Sequence, residues 1–476
     1  MDILIRFSRR SHLIAPAATL LAALFGIAPS LLAQTRIDTD KLGEEAVRRT
    51  REYVRINTTN PPGNEAQTVA YLARIFKEEG IDFDTASSAP GRANIWARLK
   101  GSASEPALVL LHHMDVVPAD ARYWDVDPFS ALVKDGEIYG RGTLDTKTLG
   151  ILHLETFLAL RRAHVPLKRD VIFIATADEE AGGLYGAGWL VKNRPDAFKG
   201  AGLLLTEGGS GSLRDGRQQF SIEVTQKVPL WLRLVSTGKP GHGATPPVSS
   251  SVNALVRALF RIQTHDFEPR LVPAVDAYFK GLAVNAGPVW KDAFQNMTKS
   301  VMSKAFLLKL QTAEPGLAAL VRNTCSITML QASNKVNVIP PEADAQVDCR
   351  LLPDQDPTAF VTELASVIAE PGIKIERIVG FSPAVSSTDT PLYRAIVEVT
   401  QRHFPEATIV PGVQAGFTDS HFFRDIGIVS YGFAPFLIPA SEISGVHGNN
   451  ERISIENIKR GTTMMLEMVQ LVAGQH

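Results

Sequence analysis

Apolar residues recur along this chain with two periods, one of about 3.6 residues and one of about 2, and segments of the two kinds alternate. Residues 40–56 and 64–79 gather their apolar side chains on one face and predict amphipathic helices. Gly80 ends the second, because glycine takes a left-handed conformation at little cost. Residues 93–100, 107–117 and 170–176 are rich in Val, Ile and Leu and predict strands. Residues 145–163 predict a helix with Ile151, Leu154 and Leu158 on one face, and 201–206 a further short buried strand. This order predicts a mixed α/β sheet with helices on both faces.

From about residue 222 the order changes. Strand 222–237, helix 250–264, strands 325–331 and 343–351, helix 357–370 and strand 373–380 form a β-α-β-β-α-β succession, a small α+β layer. The expected organisation is a main domain in two parts, 34–221 and 382–476, split around an inserted domain at 222–381. Residues 265–323 read as an extra helical piece within the insert. Its Trp290, Phe294, Val301, Phe306, Leu307 and Leu310 are expected to pack as core, with a pocket or a dimer seam as alternatives.

The start of the chain stands apart. Arg6, Arg9 and Arg10 precede an apolar run over 13–33, the pattern of an export signal (residues 1–33) cleaved near Ala33. An uncleaved membrane anchor is the alternative, since the run is long enough to span a bilayer. A periplasmic or secreted protein is expected. The whole chain of 476 residues carries 49 Lys plus Arg against 50 Asp plus Glu. Such a balance gives no broad attraction to nucleic acid or anionic lipid, so selectivity must sit in a local site. Two cysteines cannot build a thiolate zinc site, so any metal must be held by histidines and carboxylates. Cys325 and Cys349 face each other if their strands pair antiparallel in that register. A disulfide is then open to them in an oxidising compartment, but two buried free thiols are the reading adopted.

Carboxylates and histidines collect at the predicted strand ends, where loops carry functional groups. In Leu111-His112-His113-Met114-Asp115, His113 and Asp115 share one face of a strand, so Asp115 can orient His113 while His113 binds metal. His112 points the other way. Asp145, in Gly140-Arg141-Gly142-Thr143-Leu144-Asp145, stands at a helix start, where a plain N-cap is the alternative. Asp178, Glu179 and Glu180 follow a buried strand; three adjacent acids there are costly unless ligated, protonated or turned out to solvent. Glu207 follows another apolar strand. His447 lies in Gly445-Val446-His447-Gly448-Asn449-Asn450-Glu451, preceded by Gly416-Phe417-Thr418-Asp419-Ser420. Two histidines and several carboxylates suffice for a two-metal site with one bridging aspartate and a free glutamate as base. The histidines argue against calcium, which prefers oxygen ligands.

Together these segments resemble the cocatalytic dizinc exopeptidases and amidohydrolases, the family of aminoacylase, carboxypeptidase S, glutamate carboxypeptidase, carnosinase and succinyl-diaminopimelate desuccinylase. The resemblance implies two zinc ions per subunit, with cobalt or manganese as substitutes. His113 and Glu207 would hold one, Glu180 and His447 the other, and Asp145 would bridge them. Glu179 would be the general base, Asp115 the partner of His113, and the peptide after Asp145 would be cis. The resemblance further implies that the insert is a lid and dimerisation domain. In it His242, within Gly238-Lys239-Pro240-Gly241-His242-Gly243, would stabilise an oxyanion, often from the partner subunit of a homodimer. Asn337 and Arg350 would bind the substrate's carbonyl and carboxylate, with Gly416 beside them.

The segments Gly142-Thr143-Leu144-Asp145, Glu207-Gly208-Gly209 and Lys335-Val336-Asn337-Val338-Ile339-Pro340-Pro341 look most like the carboxypeptidase S and N-fatty-acyl-amino-acid hydrolase branch. The implied activity is hydrolysis of an amide bond in a small peptide or N-acyl amino acid with a free carboxylate. An exported protein that captures peptides without cleaving them is the competing reading. Two positions depart from the family pattern. His112 stands where glycine is common and either crowds the site or packs behind the strand. Thr206 stands where relatives with a long acyl pocket often have aspartate.

Overall fold

A computed structural model describes residues 37–475, so the expected export segment lies outside the described residues. Three parallel strands, Ala107–His113, Val171–Thr176 and Ala201–Thr206, form the middle of a ten-stranded mixed sheet. Phe83–Ala89 and Arg92–Leu99 extend it antiparallel on one side. On the other side Val429–Gly432 leads to Arg217–Gln226, which also pairs in parallel with Thr408–Gln414. In the strand Ala107–His113 both faces are covered. Leu108 and Leu110 pack with Phe157, Phe173 and Met465, whereas Val109 and Leu111 pack with Trp96, Ile172 and Phe423. A strand buried on both sides needs an unbroken apolar run, and that is what the sequence supplies.

Helices Thr39–Val54, Lys147–Arg162, Pro391–His403 and Ile455–Ala473 contribute to the core on the first of these faces. The helix Lys147–Arg162 is not the one-sided element expected from Ile151, Leu154 and Leu158. Every residue from Lys147 to Leu160 is buried, because neighbouring helices enclose the side turned away from the sheet. Glu155 is carried inside with it and pairs with Arg49 at 2.8 Å.

The strand expected over 222–237 is two strands. Arg217–Gln226 belongs to the large sheet and Val228–Thr237 to a separate four-stranded antiparallel sheet, so the chain changes sheet at Lys227. Lys227 is buried there, its ammonium donating to the carbonyls of Ala319 (2.7 Å) and Arg322 (2.8 Å) and to Thr324 Oγ1 (3.1 Å). The apolar pattern runs through this break because both strands are core strands.

The smaller sheet has the order Thr324–Gln331, Glu342–Leu351, Val228–Thr237, Ile373–Gly380. Leu230, Leu232, Val347 and Leu351 share a core with Leu255 and Leu259 of Ser251–Thr264 and with Phe360 and Leu364 of Pro357–Ile368. The β-α-β-β-α-β succession is therefore present. Cys325 and Cys349 are register partners on adjacent strands and are joined by a disulfide, which corrects the reading of two free thiols. Antiparallel pairing puts the two side chains on one face, directly opposite each other. Beyond Ile327 the register slips by one residue, so Gln331 faces Asp344.

Helices Pro273–Asn285, Pro288–Gln295 and Lys304–Ala313 form a core of their own around Phe279, Phe294, Val301, Leu307 and Leu310, with Trp290 stacked on Phe294. Core packing accounts for this segment, as expected. It rests on the strand Thr408–Gln414 through Val413.

Candidate active site and metal centre

Parallel neighbours end on the same edge of a sheet, so whatever follows them converges. His113 closes its strand, Glu179 and Glu180 follow Val171–Thr176, and Glu207 follows Ala201–Thr206. Asp145 enters from the turn ahead of the helix Lys147–Arg162, and the Asp145–Thr146 peptide is cis, as the resemblance implied. Asp145 is no simple cap. Its Oδ1 lies 3.0 Å from His113 Nε2 and its Oδ2 2.9 Å from His447 Nε2. His113 Nε2 is also 3.5 Å from Glu207, and His447 Nε2 is 3.2 Å from Glu180.

Two donor groups result, His113 with Asp145 and Glu207, and Asp145 with Glu180 and His447. Within each, the donor atoms lie within 4.8 Å of one another. One imidazole nitrogen and two carboxylate oxygens per group, with Asp145 common to both, fit a pair of zinc-like ions that each keep a position open. Glu180 Oε1, buried and without a hydrogen-bond partner among the described residues, fits the same demand.

Asp115 faces His113 with both its backbone carbonyl and its carboxylate. His113 Nδ1 lies nearer the Asp115 backbone carbonyl (3.0 Å) than its carboxylate (3.5 Å). A carbonyl can only accept, so Nδ1 carries the proton and Nε2 is left free to ligate. The buried Asp115 carboxylate also accepts the backbone N–H groups of Glu179 (3.1 Å) and Glu180 (3.2 Å) and the Asn60 amide (2.8 Å). It therefore holds the loop that carries Glu179 and Glu180. The three adjacent acids divide their tasks. Asp178 accepts from Arg92 (2.7 Å) and from the Tyr185 N–H (2.9 Å), Glu180 faces His447, and Glu179 is buried beside them.

Burial, then the charge of Glu207, pushes Glu179 well above the usual carboxylate range. Glu180 rises by burial and by the charge of Asp145. Burial alone would raise Asp145 too, yet hydrogen bonds from His113 and His447 hold it far below the usual range. His113 is buried, which disfavours its charge, but Glu207, Asp115 and Asp145 outweigh this and raise it well above the ordinary imidazole value. His447 rises through Asp145 and Glu180. A cluster that draws protons onto its imidazoles in this way has an unmet demand for positive charge, which divalent ions satisfy.

His112 packs behind the strand. Its Nε2 lies 3.0 Å from Tyr53 Oη, its ring sits beside Phe173 and His153, and burial keeps it neutral.

The residues assigned to the substrate make their contacts outside this cluster. His242 and Asn337 stand side by side on a two-stranded tongue, Gly241–His242 paired with Val338–Ile339, and both are exposed. Among the described residues no hydrogen bond or ion pair joins either to the metal-ligand cluster; the His242 ring accepts from the Ala244 N–H at 3.0 Å. Arg350 forks onto Asp348 (2.7 and 3.1 Å) between the rings of Trp231 and Phe417, with one buried guanidinium nitrogen unpartnered. Gly416 is exposed, next to Phe417.

Several residues of the site escaped the sequence reading. Asn60 and Arg92 brace the acidic loop. Asp419 is buried and accepts from Thr176 Oγ1 at 2.8 Å. Glu451 is buried against the Asp145 turn. Asp419 and Glu451 lie in segments already singled out, which was the signal available for them.

Residues 109–471 match peptidase family M20/M25/M40. The chain belongs to this family. As a member of the M20 group it is a metallohydrolase, of a kind that cleaves amide bonds with the help of metal. Among curated proteins it is similar to the N-fatty-acyl-amino acid synthase/hydrolase PM20D1 of Mus musculus, 30% identical over 385 residues, covering 77% of this chain and 75% of the relative. Aminoacylase-1 of Mus musculus is 26% identical over 431 residues, covering 89% and 94%. Among solved structures, the M20 family metallo-carboxypeptidase Sso-CP2 of Sulfolobus solfataricus shares the fold with a TM-score of 0.69 at 20% identity, covering 90% of this chain and 99% of that one.

Proposed function

We propose that the protein hydrolyses the amide bond of small peptides or N-acyl amino acids with a free carboxylate, at a centre of two zinc ions. His113 and Glu207 would hold one, Glu180 and His447 the other, with Asp145 between. The observation that carries this reading is Asp145, each of whose oxygens is directed at a different imidazole. When bound, the ions supply Lewis acidity that acidifies water and polarises the scissile carbonyl. Glu179 accepts the proton of the attacking water on its carboxylate and delivers it to the leaving nitrogen. Arg350 offers its unpartnered guanidinium nitrogen to the substrate carboxylate. His242 and Asn337 donate to the oxyanion and to the carbonyl.

The tongue that carries His242 and Asn337 is exposed, and Leu330, Val336 and Val338 leave apolar surface beside it. This supports a homodimer in which each tongue serves the partner's centre. Similarity to an N-fatty-acyl-amino acid hydrolase supports an apolar acyl side. The Cys325–Cys349 bond supports export to an oxidising compartment.

The test is a panel of dipeptides and N-acyl amino acids of rising acyl length, run on metal-assayed protein with and without a chelator. Hydrolysis that favours longer acyl chains and stops on chelation is expected. Equal rates across the panel would defeat the apolar acyl side, and binding without cleavage would leave only a peptide-capturing protein.

A further inference from the structure

We infer that Glu451 is a positioning residue of the metal centre, fixing His447 against Asp145; the inference rests on the two-metal reading above. Four of the five ligands are delivered by regular structure. His113 ends a strand, Glu180 and Glu207 lie just past strand ends, and Asp145 heads a buried helix. His447 has no such support. It lies in loop 440–451 with a φ of +58° and a half-exposed side chain, flanked by the single turn Ile443–Gly445 and the short strand Arg452–Ser454. A side chain on that backbone, left to itself, would not hold one place.

What fixes it is a fully buried carboxylate four residues on. Glu451 Oε1 accepts the backbone N–H groups of Leu144 (2.7 Å) and Asp145 (3.2 Å). Its Oε2 accepts the Gly142 N–H (3.0 Å) and the Arg141 guanidinium (2.7 Å). The Glu451 carbonyl accepts the Gly140 N–H (2.9 Å), and Arg141 donates a further bond to the carbonyl of Gly448 (2.7 Å), the residue after His447. One side chain thus stitches the turn that carries Asp145 to the loop that carries His447. Gly142 belongs to the arrangement: its φ is +88°, and a Cβ there would meet Val116 Cγ1 at 2.7 Å, so only glycine turns its N–H towards Glu451.

All four groups facing the carboxylate are donors. An amide at this position would set its own NH₂ against N–H groups, so a glutamine keeps the volume and loses half of the arrangement. The backbone pairing of Arg452–Ser454 with Glu137–Tyr139 closes the same region without the Glu451 side chain, which separates positioning from folding. Residues behind metal ligands typically contribute about 10- to 100-fold in metal affinity.

The experiment titrates metal-stripped wild type and Glu451→Gln with Co²⁺ alone, reading stoichiometry and the visible absorbance of each equivalent, with thermal unfolding of the metal-free proteins as control. Wild type should bind two equivalents. Glu451→Gln should bind one as wild type does and the other about 10- to 100-fold more weakly. His447→Ala should lose that same equivalent, and the double variant should lose nothing more. If Glu451→Gln does not fold, Arg141→Lys, which removes the bond to Gly448, is read in the same way. Two equivalents at wild-type affinity would overturn the role of Glu451 and leave the two-metal reading standing. Equal weakening of both with a lowered Tm would reduce Glu451 to a structural residue and overturn the inference. A wild type that binds fewer than two equivalents would overturn the two-metal reading itself.

Discussion

The ring of His112 lies against Gly150, where a Cβ would come within 2.2 Å of His112 Cδ2. The histidine on the strand and the glycine on the helix form one fitted pair. A bulky residue at 112 is accommodated because the buried helix opposite it has no side chain at the point of contact.

Gly150→Ala should therefore destabilise the protein by about 1–3 kcal/mol through overpacking, although alanine in a helix would by itself gain about 1 kcal/mol. Adding His112→Gly should recover part of the loss. Denaturant unfolding of the two variants checks this; additive losses would show that the two residues do not share the space.

Cys325 and Cys349 should give no reaction with a thiol reagent until the unfolded protein is reduced. Closing a loop between residues 24 apart restricts the unfolded chain, so the Cys325→Ala, Cys349→Ala variant should lose about 3 kcal/mol of stability. Thiol labelling and equilibrium unfolding read the two outcomes. Two labelled thiols before reduction would contradict the bond.

Glu155 supplies a pH dependence whose sign is fixed by its surroundings. Burial, only partly offset by Arg49, pushes it from the ordinary 4.5 up to about 7. The folded protein then binds a proton that the unfolded chain has released. Its contribution is complete below about pH 4.5 and is lost as pH rises through about 7, a change of up to about 3 kcal/mol. The stability of Glu155→Gln relative to wild type should therefore rise between pH 5 and pH 8, measured by denaturant unfolding at both. A difference that stays constant across that range would contradict the shift.

The parts that were legible in the sequence are those whose physics leaves a local mark. Strands 107–113, 171–176 and 201–206 are buried on both faces over most of their length and carry apolar runs that end in His or Thr. His113, Asp145, Glu180 and Glu207 are unusual residue types at the end of such runs, just beyond them or at a helix start, His447 stands in a Gly-rich loop segment, and the structure brings all five together. The break at Lys227 left no mark, since apolar residues continue on both sides of it and the acceptors for its ammonium lie about 90 residues away in the chain. The tasks of Asp115 and Glu451 were hidden for another reason. Both carboxylates bind backbone N–H groups of distant loops, and a backbone N–H is the same at every position, so no side-chain pattern announces the pairing. The disulfide lay between: the register was readable, but whether the thiols join depends on the surroundings as well as on spacing.

Metal content and turnover of Glu179→Gln, measured on one preparation, test the proposed chemistry most directly. Glutamine keeps the shape of the proposed base and removes its capacity to take a proton, while the five clustered candidate ligands are untouched. Two metal equivalents as in wild type, with amide hydrolysis reduced by about 10² or more, are expected. Near-wild-type turnover with both metals in place would contradict the assignment of Glu179 as the base.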